Sequence, residues 1–219
     1  MKIDRHGQAK ILTQEEISLL FKEGCTVNPP RDRALFAVML YTACRVGEVV
    51  QLLVRDVFDQ NREVRPTILF RKKNTKGKLA SRAIPVIHEL RHWLNQYPLP
   101  HYQSYLFAGN KLQGRKFLHK DSAAWLLKNA CKRIGLEGVS THSFRRTALT
   151  QMSNAGIPLR IIQEISGHRT LDELYRYLEV EPSQLIGAVN SLSMLSVIEE
   201  PAKNFEKSSL KEVGVEEIH

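Results

Sequence analysis

The last third of the sequence combines residue types that could act together on a phosphate: an arginine, two histidines and a tyrosine. His142 and Arg145 are three positions apart in the run HSFRR, so on a helix they share one face. They also fall in the first turn of a predicted helix, where unpaired backbone N–H groups and the positive end of the dipole favour an anion. His168 follows Gly167, which can end a helix in the left-handed conformation, and Tyr177 lies nine residues later. The spacing therefore predicts one short helical assembly that holds a guanidinium, two imidazoles and a phenol.

Arg45 and Lys76 extend this set toward the N-terminus. Arg45 lies in the run YTACRVGE, and Lys76 lies in a polar turn between two runs rich in β-branched residues. Together with HSFRR, GH and Tyr177, they resemble the tyrosine recombinase, or phage integrase, family in order, context and spacing. The resemblance covers residues from about 12 to 195. A lone histidine or tyrosine on a helix is more often a packing residue than a catalytic one, so the hypothesis depends on the joint pattern.

The resemblance implies that three residues hold the scissile phosphate. Arg45 and Arg145 match the two family arginines, whose planar guanidinium forks suit the non-bridging oxygens and the extra charge of the pentacoordinate transition state. His168 matches the second family histidine, which hydrogen-bonds the phosphate. Ser166 departs from the family pattern, and we expect no effect on the chemistry because this position handles no proton.

The resemblance assigns the nucleophile and the proton transfers to three further residues. Tyr177 matches the nucleophile, which forms a 3′-phosphotyrosine that a second DNA 5′-hydroxyl later attacks. His142 matches the residue that manages the proton of the nucleophile, and Lys76 matches the hairpin lysine that protonates the departing 5′ oxygen. Because one phosphoester is exchanged for another, no cofactor, metal ion or ATP is expected, and the sequence contains no GxxxxGK[ST] loop.

Both the nucleophile and the general acid have competitors in the sequence. Tyr175 lies two positions before Tyr177. Two positions around a helix turn a side chain through roughly 200°, so only one of the two tyrosines can face the site, and the family spacing favours Tyr177. Three other lysines of the hairpin compete with Lys76: Lys72, Lys73 and Lys78.

The elements that position these residues are predicted from apolar periodicity, capping residues and turns. Thr13 and Glu16 form a capping box at the start of the first helix, and two short strands, 67–70 and 82–86, flank the polar turn. The predicted fold is α+β and mainly α: a helical catalytic domain with a small antiparallel β-sheet that carries a basic hairpin, the tyrosine recombinase catalytic fold. Helices are predicted at about 13–23, 33–44, 46–53, 88–96, 122–134, 142–154, 158–165, 171–179 and 183–195.

The folded part of the chain is predicted to be strongly basic. The net charge is +9, and segment 199–219 has six Glu against three Lys, so residues 1–198 carry 9 + 3 = +12. Lysines and arginines that replace condensed counterions gain affinity for nucleic acid, so we expect double-stranded DNA as a partner, with the basic run from Arg62 to Arg82 following its phosphates. We expect one catalytic domain at 1–198, ordered from about residue 11, an acidic tail at 199–219, and no N-terminal core-binding domain.

Further expectations concern assembly and location. Relatives work as tetramers on DNA, so self-association on DNA is expected, and a partner could supply a core-binding domain. No apolar run approaches the ~18 residues of a membrane span, and the N-terminus lacks the apolar core of a signal peptide, which predicts a cytoplasmic protein without membrane contact. An apolar stripe at helical spacing near the C-terminus could dock on a neighbouring subunit: Leu185, Ile186, Val189, Leu192 and Leu195.

Two other functions compete with recombination. The run from His88 to His92 matches HExxH, which could hold zinc with Glu89 as base, but no third-ligand motif follows it and a solvated helical turn is the simpler interpretation. The other alternative is a non-catalytic DNA-binding protein on the same fold. The presence of all six candidate residues argues against it.

The three cysteines are an odd number without a CxxC pair, which predicts reduced core residues.

Overall fold

The computed structural model describes residues 9–72, 81–109, 116–178 and 182–195. The chain divides into two units, residues 1–180 and 181–219. Among the described residues, no helix has both the length and the apolar character needed to cross a membrane. Residues 73–80, which include Lys76 and the predicted polar turn, and the predicted acidic tail at 199–219 lie outside the described residues.

The predicted fold class is confirmed, because helices and one small sheet account for the first unit. Its helices are α1 (Gln14–Leu19), a π-helical turn (Leu20–Gly24), α2 (Pro29–Thr42), α3 (Val46–Val49), α4 (Val54–Val57), α5 (His88–Asn95), α6 (Lys120–Arg133), α7 (Thr141–Asn154), α8 (Leu159–Ser166) and α9 (Leu171–Tyr175). The second unit contains α10 (Pro182–Asn190), followed by a 3-10 helix (Ser191–Leu195).

The sheet has two antiparallel strands, β1 (Thr67–Phe70) and β2 (Arg82–Pro85). Thr67 pairs with Pro85 and Phe70 with Arg82. Their side chains alternate between the core and the solvent, as a half-buried strand requires, with Ile68 and Ile84 facing the core.

Helix α2 forms the centre of the core. Its residues 34–40 are all buried, as is typical of a helix that is apolar on every side, and it packs against α5 and α7. Asn28 caps its first turn and two prolines occupy the first positions, where a missing N–H costs nothing. The helix therefore begins earlier than the predicted position 33.

Two predicted helices are shorter in the structure. The segment predicted as one helix at 46–53 is α3, followed by a separate α4 whose Asp56 carboxylate accepts a hydrogen bond from the backbone N–H of Leu53 at 3.0 Å. The helix predicted at 171–179 ends at Tyr175. Tyr177 therefore lies in a turn after α9, so its orientation is set by that turn and not by the helical periodicity assumed from the sequence.

Candidate active site

The end of α2 places Arg45 at the start of α3. Ala43 adopts the left-handed conformation with φ 50°, which turns the chain sharply after the helix. The carboxylate of Glu48 accepts a hydrogen bond from the backbone N–H of Arg45 at 2.8 Å, and this contact caps α3. The side chain of Arg45 is 19% exposed and its Nη1 lies 3.6 Å from Oε1 of Glu48.

Glu48 is a buried carboxylate that binds two arginines from different elements. It is 2% exposed, and Arg82 on β2 donates two parallel hydrogen bonds of 3.1 Å to its two oxygens. A buried carboxylate without such partners would be strongly destabilising. Glu48 thus joins α3 to β2 and holds Arg45 beside Arg82.

Arg82 also explains why Gly167 precedes the candidate histidine. The guanidinium of Arg82 lies over the ring of Phe70 at 5.2 Å and against the backbone of Gly167, where a Cβ would be 2.2 Å from Nη1. Gly167 ends α8 in the left-handed conformation with φ 65°. A side chain at this position would therefore meet both backbone strain and a direct overlap with Arg82.

Arg145 is the fully buried centre of the site. It is 0% exposed and donates to the carbonyl oxygen of Ala43, to the carbonyl oxygen of Ser166 at 2.9 Å and to Nε2 of His168 at 2.9 Å. Burial, followed by the nearby charge of Arg45, lowers its pKa. Arg145 therefore joins the end of α2 to the end of α8 while its charge remains poorly compensated.

His168 contacts both Arg145 and Tyr177. Its ring centroid is 4.8 Å from that of Tyr177, and the Cζ of Arg145 is 5.4 Å from the centroid of the same phenol ring. Burial first, and then the charges of Arg145, Arg45 and Arg82, lower the pKa of His168 to about 3. His168 is therefore neutral at physiological pH.

The turn that carries Tyr177 is anchored to α7. The hydroxyl of Thr150 donates to the carbonyl oxygen of Tyr177 at 3.1 Å, and the backbone N–H of Tyr177 donates to the carbonyl oxygen of Leu174 at 2.8 Å. Tyr175, the competing tyrosine, is 53% exposed. Of the two tyrosines, Tyr177 is the one whose ring contacts both Arg145 and His168.

His142 occupies the first turn of α7, as predicted, on the face that also holds Arg145. Its side chain is exposed. Even so, partial burial, followed by the charges of Arg145 and Arg45, lowers its pKa. A histidine whose neutral form is favoured can accept a proton from a neighbouring hydroxyl.

The site holds more positive charge than it neutralises. Three guanidinium groups, those of Arg45, Arg82 and Arg145, surround the single carboxylate of Glu48. Within the described residues, buried nitrogens of all three arginines have no hydrogen-bond partner: Nη1 of Arg45, Nε of Arg82 and Nε of Arg145. Buried donors without partners are costly, so the arrangement favours an anion with several acceptor oxygens, as a phosphodiester has.

Five of the six candidate catalytic residues lie in the described part of the chain and come together around Arg145: Arg45, His142, Arg145, His168 and Tyr177. The sixth, Lys76, and its competitors Lys73 and Lys78 are outside the described residues.

Four residues hold the site together without having been predicted to do so from the sequence: Glu48, Arg82, Thr150 and Ser166. Glu48 could have been found as the acidic residue three positions after Arg45, the typical position of a capping carboxylate. The reason for expecting no effect of Ser166 is wrong, because its hydroxyl hydrogen-bonds Nδ1 of His168 at 2.9 Å.

The arginines of the basic run from Arg62 to Arg82, predicted to follow DNA phosphates, have partners within the protein. Arg62 donates to the carbonyl oxygen of Leu99 at 2.9 Å, and Arg71 donates to Asp56 at 2.8 Å. Arg65 donates to backbone carbonyl groups at 3.1 Å, and Arg82 binds Glu48. Each of these four arginines thus makes at least one hydrogen bond within the protein.

The HExxH run lies on α5 with His88, Glu89 and His92 all exposed. The side chain of His92 contacts that of Gln96, with 2.8 Å between the two Nε2 atoms. Among the described residues, no group of three or more His, Cys, Asp or Glu side chains could hold a metal ion.

The sequence is similar to one protein family and to several tyrosine recombinases. The family model described as the phage integrase family matches residues 10–184. Tyrosine recombinase XerA of Pyrococcus furiosus is 27% identical over 186 residues, which are 85% of this chain and 63% of the relative. Tyrosine recombinase XerC of Bifidobacterium longum is 28% identical over 171 residues, which are 73% of this chain and 46% of the relative. The chain thus spans less than two thirds of the length of both relatives.

Solved structures share the fold. The crystal structure of XerA recombinase matches with a TM-score of 0.67 at 23% identity, over 85% of this chain and 65% of that chain. The Tn1549 transposon integrase in complex with transposon right end DNA matches with a TM-score of 0.65 at 16% identity, over 87% and 68% of the two chains.

Proposed function

The chain belongs to the phage integrase family, and from this premise we propose that it is a site-specific DNA recombinase or integrase. It cleaves and rejoins DNA strands through a 3′-phosphotyrosine, without a metal ion or ATP. The observation that carries the proposal is the contact of the Tyr177 ring with both His168 and the buried Arg145. The DNA in the structure of the Tn1549 transposon integrase, which shares the fold, supports DNA as the substrate.

The phosphate is bound by the uncompensated arginines. Arg45 and Arg145 each have a buried nitrogen without a hydrogen-bond partner among the described residues, and a phosphodiester supplies acceptors for both. Since guanidinium groups keep their charge at all relevant pH values, they also stabilise the additional negative charge that develops on the equatorial oxygens.

Strand cleavage exchanges one phosphoester for another. The phenol oxygen of Tyr177 forms a bond to phosphorus while the bond from phosphorus to the 5′ oxygen breaks. His142 accepts the phenol proton, and Lys76 donates a proton to the departing 5′ oxygen. Attack by the 5′-hydroxyl of another strand reverses these steps and releases the tyrosine, so the bond energy is conserved throughout.

The direct test is the capture of a covalent complex. The substrate is a pool of DNA duplexes that have a randomised central sequence and a nick near the cleavage site. After cleavage, the short fragment between the cleavage site and the nick dissociates. The cleaved strand then cannot be rejoined, and the protein stays attached to the DNA. We expect a DNA–protein band that survives denaturing electrophoresis, and sequencing of that DNA would give the target. Binding of the pool without such a band would favour the alternative, a DNA-binding protein that has the fold but no strand-cleaving activity.

The proposed general acid can be tested with a sulfur-substituted substrate. Lys76→Ala should slow cleavage of an ordinary phosphodiester by about 10²- to 10⁴-fold, the usual contribution of general acid catalysis. A 5′-phosphorothiolate should restore most of the rate, because sulfur leaves without needing a proton. Lys78→Ala is the matched control and should cleave both substrates at nearly the original rate. If Lys78→Ala is the variant that sulfur rescues, Lys78 is the acid.

The second unit is proposed to mediate self-association on DNA. Its helical segment exposes an apolar series in which each residue is at least 59% exposed: Leu185, Ile186, Val189, Leu192 and Leu195. Contiguous exposed apolar surface commonly marks a protein contact. A second copy of the chain is the proposed partner, in a tetramer assembled on two duplexes.

Two deletions separate assembly from binding. Removal of residues 183–219 should weaken multi-subunit synaptic complexes more than single-site binding. Removal of residues 199–219 alone should raise non-specific DNA affinity at low salt, because the acidic tail no longer competes with DNA for the basic surface. Gel-shift titrations at two salt concentrations measure both effects, since salt screens the tail's charge. Unchanged synapsis after the longer deletion would contradict the proposed contact.

A further inference from the structure

We propose that Ser166 is a positioning residue that keeps the proton of neutral His168 on Nδ1, so that Nε2 accepts a hydrogen bond from Arg145. The inference deepens the proposed function, on which its catalytic consequence rests. It also gives His168 a role in the DNA-free protein that differs from the one implied by the family resemblance, in which this histidine donates to the phosphate.

The proton position follows from the partners of the two ring nitrogens. Nε2 of His168 is 2.9 Å from Nη2 of Arg145. A guanidinium can only donate hydrogen bonds, so Nε2 must be the acceptor and carries no proton. A neutral imidazole carries one proton, which therefore lies on Nδ1. The strongly lowered pKa of His168 agrees with the neutral form.

Ser166 completes this chain of hydrogen bonds. Its Oγ is 2.9 Å from Nδ1 of His168, and the Nδ1 proton makes this oxygen the acceptor. The hydroxyl proton of Ser166 is donated in turn to the carbonyl oxygen of Gln163 at 3.2 Å. Ser166 is 0% exposed. Each proton along the path from Arg145 to Gln163 thus has one donor and one acceptor, which defines a single tautomer.

The consequence concerns the orientation of Arg145. Nη2 of Arg145 is held by Nε2 of His168 and by the carbonyl oxygen of Ser166, while its Nε has no hydrogen-bond partner within the described residues. If the proton were on Nε2, two N–H groups would face each other and the guanidinium would have to turn. Ser166 therefore fixes, through His168, the direction in which Arg145 offers its Nε–H group to the phosphate.

Nuclear magnetic resonance tests the tautomer without DNA or catalysis. The full chain is labelled with ¹⁵N-histidine, and His168→Asn identifies the resonances of His168 among those of the eight histidines. Long-range ¹H–¹⁵N correlations distinguish the protonated ring nitrogen from the unprotonated one. We expect the proton on Nδ1 at neutral pH. A proton on Nε2 in the unchanged protein would overturn the inference, and this result is independent of whether the protein cleaves DNA.

Two variants then distinguish the effect of the Ser166 hydroxyl on the tautomer from the effect of the loop that carries it. Ser166→Ala leaves the Nδ1 proton of the buried ring without an acceptor, which favours movement of the ring and the guanidinium away from their observed contact and admits the tautomer with its proton on Nε2. Signals of both tautomers should therefore appear, and cleavage should slow by about 10- to 100-fold, as when the hydrogen-bond partner that orients a functional histidine is removed. Gln163→Met removes the hydrogen bonds that the side-chain amide of Gln163 donates to the carbonyl oxygens of His168 and Arg169, at 3.2 and 3.3 Å. It should lower the melting temperature but leave the tautomer unchanged. Loss of the tautomer in both variants, or in neither, would show that the Ser166 hydroxyl is not the determinant.

Discussion

Tyr177→Phe is expected to lose the covalent DNA–protein product while retaining almost all of its DNA affinity. The substitution removes one oxygen and leaves the ring, which contacts His168 at 4.8 Å and Arg145 at 5.4 Å, so packing around the site should be preserved. Without the nucleophilic oxygen, no phosphotyrosine can form. The cleavage rate should fall by a factor on the order of 10⁴ or more, as for other enzymes that lose their nucleophile.

Tyr175→Phe is the matched control for this experiment. Tyr175 is 53% exposed and lies at the end of α9, so loss of its hydroxyl should leave cleavage nearly unchanged. Covalent trapping on the nicked duplexes measures the chemistry, and gel shifts measure binding. A covalent adduct with Tyr177→Phe, combined with none for Tyr175→Phe, would exchange the roles of the two tyrosines.

Arg145→Lys should have the next largest effect. Lysine keeps the positive charge but cannot reproduce the guanidinium fork, which here reaches Ala43, Ser166 and His168. Cleavage should slow by about 10²- to 10³-fold, the typical cost of losing one donor to a transition-state oxyanion. The free energy of unfolding should fall by about 1–3 kcal/mol, because buried acceptors lose their partner.

The control for Arg145→Lys is Arg160→Lys, the same change on the surface of α8. Arg160 pairs with Glu164 at 2.7 Å, with both side chains more than two thirds exposed, and exposed ion pairs contribute little. Single-turnover cleavage and denaturant unfolding should be unaffected in this variant. If Arg145→Lys cleaves at the original rate, Arg145 is not one of the two arginines that bind the phosphate.

Much of the fold was predictable because its determinants are local. Apolar periodicity located the helices, and alternation between two turn-flanked runs located the strands within one residue of their observed ends, at Thr67–Phe70 and Arg82–Pro85. The shared face of His142 and Arg145 also follows from local geometry, since any helix places residues three apart on one side.

Contacts between distant elements could only be seen in the tertiary structure. In the sequence, Arg82 is one positive charge of a basic run, whereas in the structure it binds Glu48, 34 positions earlier. No local sequence pattern distinguishes a buried arginine from one that binds DNA. Helical rotation predicted that only one of Tyr175 and Tyr177 could face the site, and the family spacing favoured Tyr177, yet α9 ends before Tyr177 and the turn is held by Thr150 on α7.

The order of the candidate residues, the mainly helical architecture and the basic character were therefore determined by the sequence itself. The tertiary structure decided which arginines are used internally, which tyrosine meets the buried arginine, and how Ser166 contacts His168. The physical reason is that local conformation depends on neighbours within a few positions, whereas the position of a buried charge depends on where distant segments bring its partners, and burial makes those partners obligatory.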